Sequence, residues 1–581
     1  MYKEIESSKK WDGLVILIFL IITFTITYPL WNSHQVFVAN DWSFHASRVE
    51  EIYQNLKSGH LFTYIATHTF QKTGVANFLF YPTIFLYPWA IFRFLFSPVT
   101  AFYGWYALIN FSTLIITYFC AKRIVGTQVK ALLVALLYVL MPYHIFVGMG
   151  VFGEFIAMTF VPLVLLGGYE LFFTDKKSWK LLAIGLSLVG YSHFLSVILC
   201  CEVLLLLFII SVFMKKWVDK GRWLALLKSV GTTIILMAGI IVTFLSNYVG
   251  QDITSTNVGI NYTMVWSLKN FILASFSTYY NQTLGTILII TAFTGYITSS
   301  QKIVKVSWVL GVLLSLMITN IFPWESISKL IPLLGIIQFP YRYLTYAGIF
   351  LAIVAADAIG QLSEGYVQRG GKNWTILVVI TLVAFFYPLA TLFNGDWRKN
   401  PDYVNIESRN ALGTVQGTNL SYRVGNNSYN QIFKHGVLYG EGDYYPSVAR
   451  AGNSSAWFGY VVKNKTTRSI VDGITYADGK VIKATRISGA NRLTYKLKNV
   501  KGKTINLPFL VYKNTYLEVG GKHTNYQVSE RGTIEFKATS NQVVATVGYK
   551  ATILMKIGML VTLISWLAII ASSVLKLRRA S

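Results

Sequence analysis

The sequence predicts an α-helical polytopic membrane protein of about 12 transmembrane helices, with a mostly β extracytoplasmic domain before the last span. Three observations predict it. Of 581 residues, 54% are apolar and 13% charged, roughly half the charged share of an average soluble protein. The apolar residues fall in blocks free of Asp, Glu, Lys and Arg, at 14–30, 132–153 and 181–199, and about 20 such residues cross a bilayer core. These blocks also lack the polar stripe of a helix in a soluble core. Mean hydropathy is +0.49.

The first apolar block follows Lys9 and Lys10, is long, and has no small-residue cleavage site after it. It reads as a retained anchor rather than a cleaved leader. Cys120, Cys200 and Cys201 all lie in spans. The polar domain therefore holds no disulfide, as in bacteria that build none into their surface proteins.

Basic clusters order the spans. They stand at Lys9/Lys10, Lys122/Arg123/Lys130, Lys176/Lys177/Lys180, Lys215/Lys216/Lys220/Arg222, Lys302/Lys305, Arg369/Lys372 and Lys576/Arg578/Arg579. If each is cytoplasmic, an even number of spans separates neighbours. Three apolar stretches precede Lys122, so one of them cannot cross. The stretch at 78–97, with its two prolines, Tyr and Trp, suits an interfacial helix. Spans are then expected near 13–31, 101–121, 130–149, 155–173, 180–194, 196–213, 224–247, 284–299, 305–320, 342–362, 374–393 and 551–574. Both termini are cytoplasmic in this reading. The domains are a transmembrane domain at 1–393 with a long first outer loop (32–100), the polar domain at 394–550, and a last helix with a basic tail at 551–581.

Segment 394–550 carries 22 Lys/Arg against 10 Asp/Glu. Turn signals such as Asp472-Gly473, Asp478-Gly479 and Gly520-Gly521 separate short runs, and 492–497 and 533–537 alternate like half-buried strands. Its positive surface would concentrate an anionic cell-envelope polymer or lipid headgroups, or is an ordinary solvated face. Nothing points to nucleic acid.

Ionisable groups are costly at membrane depth, so those at the ends of spans are candidates for function. Asp41, His45 and Arg48 fall at i, i+4 and i+7, on one face if a helix starts there. An acid, an imidazole and a guanidinium together can take a proton and hold a phosphate; the bland alternative is that Asp41 or Asn40 caps the helix. Glu154 is the single charge in a turn between two apolar spans, either a second site carboxylate or a solvated loop residue. His193, at another turn, has no Cys or His partner at metal-site spacing, and a lone histidine is more often structural. Arg342 at the mouth of a span binds a lipid phosphate or anchors the interface. Walker A, dinucleotide, GxSxG and HExxH motifs are absent.

These residues in this order resemble a known group. The set comprises Asp41-x-x-x-His45-x-x-Arg48, Gly59, Phe80-Tyr81-Pro82, Glu154, His193, Phe339-Pro340-Tyr341-Arg342 and Asp443-Tyr444-Tyr445-Pro446. It looks like the bacterial membrane proteins called "6-pyruvoyl-tetrahydropterin synthase-related" and the YfhO-like proteins, both similar to GT-C glycosyltransferases. The resemblance implies transfer of a sugar from a polyprenyl-phosphate carrier to an extracytoplasmic cell-envelope acceptor. It implies Asp41 as base or acceptor-orienting acid and Glu154 as the second-loop acid. Where a divalent metal, Mg or Mn, is used, Asp41 and Glu154 would hold it. His45, Arg48, His193 and Arg342 are the candidates to neutralise the lipid phosphate. One departure is that Gly148-Met149-Gly150-Val151 stands where relatives often carry an Arg before the second acid. The rival readings are a transporter or flippase of a lipid-linked glycan, and a non-catalytic wall-polymer-binding scaffold. Transporters gather polar groups at the bilayer midplane; here only Glu202 and Asp357 do so.

Overall fold

The structure, a computed structural model, describes residues 2–253, 259–277, 281–299, 301–368, 422–434, 442–450 and 464–580. It divides into two compact units. One comprises Met1–Ser33, Tyr103–Thr233 and Asn257–Lys399; the other comprises His34–Phe102, Ile234–Thr256 and Asn400–Ser581.

Among the described residues, six helices are long and apolar enough to cross a membrane: Lys10–Trp31, Pro98–Val125, Phe152–Phe173, Phe194–Phe213, Pro340–Leu362 and Ile553–Leu575. Two bent pairs, Gln128–Val139 with Pro142–Gly148 and Lys220–Leu236 with Ala238–Tyr248, raise the number to eight if each is one span. The chain is thus membrane-embedded. Helices of 12, 13 and 15 residues, Trp179–Gly190, Thr286–Thr298 and Lys302–Leu316, occupy three more of the places expected for spans. The place at 374–393 lies outside the described residues. The stretch at 78–97 forms only short helices, Asn77–Phe80, Ile84–Leu86 and Tyr87–Phe92.

In the first unit, small residues let two helices touch by their backbones. A Cβ on Gly167 would lie 2.6 Å from the Leu182 backbone, and one on Gly185 would lie 2.8 Å from Val164 N. Helices in lipid associate by such close approach, because lipid is as apolar as leucine. Ion pairs tie the basic ends. Lys122 meets Asp12 at 2.8 Å, Arg123 meets Glu170 at 2.6 Å, and Lys130 meets Asp357 at 2.6 Å. Arg222 donates to the carbonyls of Leu171 and Thr174, both at 2.7 Å.

In the second unit, Gln35–Val38 from the first loop pairs antiparallel with Tyr422–Gly425. The C-terminal part builds two five-stranded sheets. One runs in the order Gln527–Val528, Thr533–Lys537, Thr504–Leu510, Thr475–Ala477, Lys480–Ile482. The other runs Thr485–Gly489, Arg492–Lys498, Gln542–Tyr549, Thr515–Val519, Lys522–His523. Asp478 and Gly479 both take positive φ (47° and 74°), the backbone that a two-residue hairpin turn needs. Gly520 and Gly521 do the same at another tight hairpin. The last helix packs on Ala238–Tyr248, where Gly239 N donates to Thr562 Oγ1 at 2.8 Å. Elsewhere it leaves large side chains such as Leu560, Leu563 and Leu567 uncovered, a surface suited to lipid.

The glycine contact is testable. Gly167→Val should lower thermal stability in detergent by about 1–3 kcal/mol, the cost of overpacking. Gly13→Val, with nothing within 4 Å of the added carbon, should leave the melting temperature unchanged.

Candidate active site

The six residues singled out from the sequence fall in two clusters, one in each unit. Asp41, His45 and Arg48 belong to the second unit; Glu154, His193 and Arg342 belong to the first.

The helix Trp42–Lys57 starts where the spacing of Asp41, His45 and Arg48 requires. Asp41 occupies its N-cap position, but the side chain makes no capping hydrogen bond, so the capping explanation does not account for it. His45 is buried, with Nδ1 3.4 Å from Arg48 Nη1. Arg48 is 0% exposed. Its Nη2 donates to the carbonyls of Tyr81 (2.9 Å) and Pro82 (2.8 Å), and its guanidinium lies over the rings of Phe44, Phe78 and Tyr81. Burial pushes its pKa down to about 10, against the opposing pull of Tyr81 and Tyr444. The guanidinium of Arg48 thus pins Tyr81-Pro82 to the helix. Tyr444, from the Asp443-Tyr444-Tyr445-Pro446 motif, stacks on Phe44 and Phe80 at 6.0 and 6.1 Å. Burial first, then the charges of Tyr81, Asp443 and Asp41, raise its pKa. Two motifs distant in sequence thus meet beside the helix that follows Asp41.

Glu51, on the same helix, organises the loop beyond it. Its carboxylate accepts from the backbone N–H of Thr67, His68 and Thr69 (2.8–2.9 Å), from the hydroxyls of Thr67 and Thr69, and from His68 Nδ1 at 3.0 Å. Burial alone would raise its pKa. The hydrogen bond and charge of His68 and the backbone donors outweigh that and hold it low.

In the first unit Glu154 sits in the first turn of Phe152–Phe173 and is 1% exposed. Its Oε1 accepts from Tyr143 Oη and Thr345 Oγ1, each at 2.8 Å. Its Oε2 has no hydrogen-bond partner, and 3.9 Å away lies Arg342 Nε, which also has none. Arg342 is 8% exposed and is fixed by its Nη1, which donates to the Ile337 carbonyl at 2.8 Å, and by the Phe339 ring 5.1 Å from its carbon centre. His193 is near enough to Arg342 to feel its charge, and its Nδ1 lies 2.9 Å from Ser196 Oγ. Glu154 is thus no solvated loop residue. Tyr143 and Thr345 were missed from sequence. Thr345 carried a signal, three residues beyond Arg342 and so on one helical face with it; Tyr143, inside an apolar run, carried none.

A divalent metal does not fit the Glu154 cluster. Two hydroxyl donors take one carboxylate oxygen, and a guanidinium faces the other. Among the described residues no three His, Cys, Asp or Glu side chains stand together to hold one.

No protein-family model and no curated protein matches the sequence. Among solved structures, the chain is similar to the arabinofuranosyltransferase AftD from mycobacteria, with TM-score 0.44 and 14% identity over 66% of this chain. A mutant of the same protein gives 0.42 and 14% over 65%. ArnT from Cupriavidus metallidurans, bound to undecaprenyl phosphate, gives 0.32 and 12% over 61% of this chain and 79% of that one. The chain spans 27% of AftD.

The Glu51 cage makes a pH prediction. A carboxylate whose folded pKa is depressed stabilises above its unfolded pKa, and that stability is lost as pH falls through the folded value. Relative to Glu51→Gln, the unmodified protein should lose stability as pH drops below 4.5, the ordinary value. Parallel acid melts of the two proteins check this; coincident curves would exclude it.

Proposed function

We propose that the chain is a GT-C-type glycosyltransferase, of the kind the "6-pyruvoyl-tetrahydropterin synthase-related" and YfhO-like proteins resemble. It transfers a sugar from a polyprenyl-phosphate carrier to an extracytoplasmic cell-envelope acceptor. One observation carries this reading: two buried, oppositely charged atoms, Glu154 Oε2 and Arg342 Nε, face each other at 3.9 Å without a hydrogen bond. That separation is too long for a direct bond. A hydroxyl set to one side reaches both at about 2.8 Å each, the ordinary hydrogen-bond length. The hydroxyl donates to Oε2 and accepts from Nε–H, which points a lone pair outward.

The chemistry then balances. The acceptor oxygen bonds to the anomeric carbon, and the bond from that carbon to the phosphate oxygen breaks. Its electron pair leaves on the lipid phosphate, and the hydroxyl proton passes to Glu154. Tyr143 and Thr345 hold the carboxylate in position, so orientation is set before the reaction begins. Arg342 and His193 border the phosphate. Asp41, whose side chain does not cap its helix, is the second acid of the reading and serves as an acceptor-orienting group, with His45 beside it. Both termini are cytoplasmic in this proposal, and the basic C-terminal domain faces the anionic envelope.

The test is a deletion strain complemented with variants, read by monosaccharide analysis of the envelope and by protein level in the membrane. Glu154→Gln should reduce incorporation by at least about 100-fold, the scale of a lost general base, at normal protein level. Thr345→Val should cost about tenfold or less, as the loss of one hydrogen bond. Asp41→Asn should also depress incorporation. Full incorporation by both acid variants would favour a carrier or a scaffold instead.

A further inference from the structure

The first unit contains a cavity that the proposed chemistry does not use. It has a volume of about 230 Å³, against the roughly 10–15 Å³ that admits one water molecule. Its walls are apolar and come from several helices: Leu165 and Tyr169 of Phe152–Phe173, Leu207 of Phe194–Phe213, and Ile353 of Leu344–Gln368. Its cations are Lys216, in the turn after Phe194–Phe213, and Lys302, the first residue of the helix Lys302–Leu316. No side chain caps that helix, so its first N–H groups add to the positive field.

The position separates this cavity from the Glu154 cluster. Leu165 lies eleven residues beyond Glu154 on one helix, about 16 Å at 1.5 Å per residue. Tyr169 lies one further turn away, toward the basic end where Arg123 pairs with Glu170. Neither Lys216 nor Lys302 forms an ion pair among the described residues, whereas Lys122, Arg123 and Lys130 are all paired. Two uncompensated ammonium groups at the edge of an apolar chamber within a membrane-embedded unit match one ligand chemistry. That chemistry is an anionic headgroup joined to a hydrocarbon chain.

The geometry points to a binding site for an anionic membrane lipid, with its acyl chain among Leu165, Tyr169, Leu207 and Ile353 and its phosphate between Lys216 and Lys302. A soluble phosphate would leave the apolar walls unused. A neutral lipid would leave the lysines unpaired. The lipid fills the space between helices and so fixes their spacing at the basic end, independently of sugar transfer.

The test uses the full chain purified in detergent, exchanged repeatedly, and examined by native mass spectrometry after titration with phosphatidylglycerol or phosphatidylcholine. One phosphatidylglycerol should remain bound where phosphatidylcholine does not. The double variant Lys216→Ala/Lys302→Ala should bind phosphatidylglycerol roughly 30-fold more weakly, as expected for two surface-region cations. Ala121→Phe, which fills the chamber and leaves the charges in place, should also abolish retention, with circular dichroism reporting that the protein stays folded. Equal retention of the two lipids, or unchanged binding in either folded variant, would overturn the proposal. So would displacement of the lipid by millimolar glycerol phosphate, which would make this a soluble-anion site.

Discussion

The first unit is organised around the cost of burying one carboxylate. Glu154 is almost wholly removed from solvent, where an unpaired charge is expensive. Two hydroxyls and a guanidinium meet that cost, and each comes from a different part of the chain. Tyr143 stands in the broken pair before the glutamate, and Thr345 and Arg342 lie nearly two hundred residues after it. The compensation is incomplete in a specific way. One oxygen is fully satisfied, while the other sees a positive charge beyond bonding distance. A purely structural ion pair would close that gap, since a shorter bond gains energy and nothing prevents a flexible arginine from making it. Here Arg342 is held back, because its Nη1 is spent on the Ile337 carbonyl and its plane rests near Phe339. Gln338, with φ of 59°, bends the chain just before this. A side chain restrained from its best partner leaves one oxygen of the carboxylate and one nitrogen of the guanidinium without a hydrogen bond.

Much of this was legible in the sequence and some was not, for definable reasons. Glu154 stood out because it is the single charge in a long apolar stretch. Arg342 stood out because it opens a span. Their meeting could not be read, since nothing local in 142–154 specifies the segment at 337–345. Arg48 shows a different limit. Helical spacing correctly put it on one face with Asp41 and His45, but spacing cannot say what that face meets. It meets the carbonyls of Tyr81 and Pro82, 33 and 34 residues away. The strands followed the same rule. Arg492–Lys498 alternates between buried and exposed and was readable; Thr504–Leu510 is buried at every position but its first, so it carries no period of two. Several expected spans proved to be helices of 12–15 residues. Apolar composition reports that a segment avoids water, and not how far it runs before it turns.

The second unit solves a different problem, the ordering of a long loop without a disulfide. Strand pairing between Gln35–Val38 and Tyr422–Gly425 fixes its start. The six donors around Glu51 fix its middle, and side-chain contacts such as Ser488 Oγ to the Thr67 carbonyl (2.6 Å) and Asn491 Nδ2 to the Phe62 carbonyl (2.8 Å) tie it to the β domain. Backbone donors converging on one carboxylate hold a loop more firmly than apolar contact, because each buried N–H left unpaired would cost a desolvation penalty. The helix Trp42–Lys57 is therefore clamped along its length. Asp41, at its N-cap position, inherits a fixed position without a side-chain bond to the helix end.

The distribution of paired and unpaired charge in the first unit follows from where rigidity is needed. At the basic ends, Asp12, Glu170 and Asp357 each take a cation at 2.6–2.8 Å, and two of these carboxylates are almost fully buried. Short, direct pairs in a medium of low dielectric resist sliding, since any slip strands both charges. Lys130 and Asp357 join the start of one helix to the middle of another, and Gln361 fixes the second oxygen of Asp357 at 2.9 Å. That helix begins at Leu344, beside Thr345 and Arg342. A rotation or translation of that helix as a body would break the Lys130 pair as well. The helix is thus fixed near its middle by a closed ion pair and preceded by the braced guanidinium of Arg342.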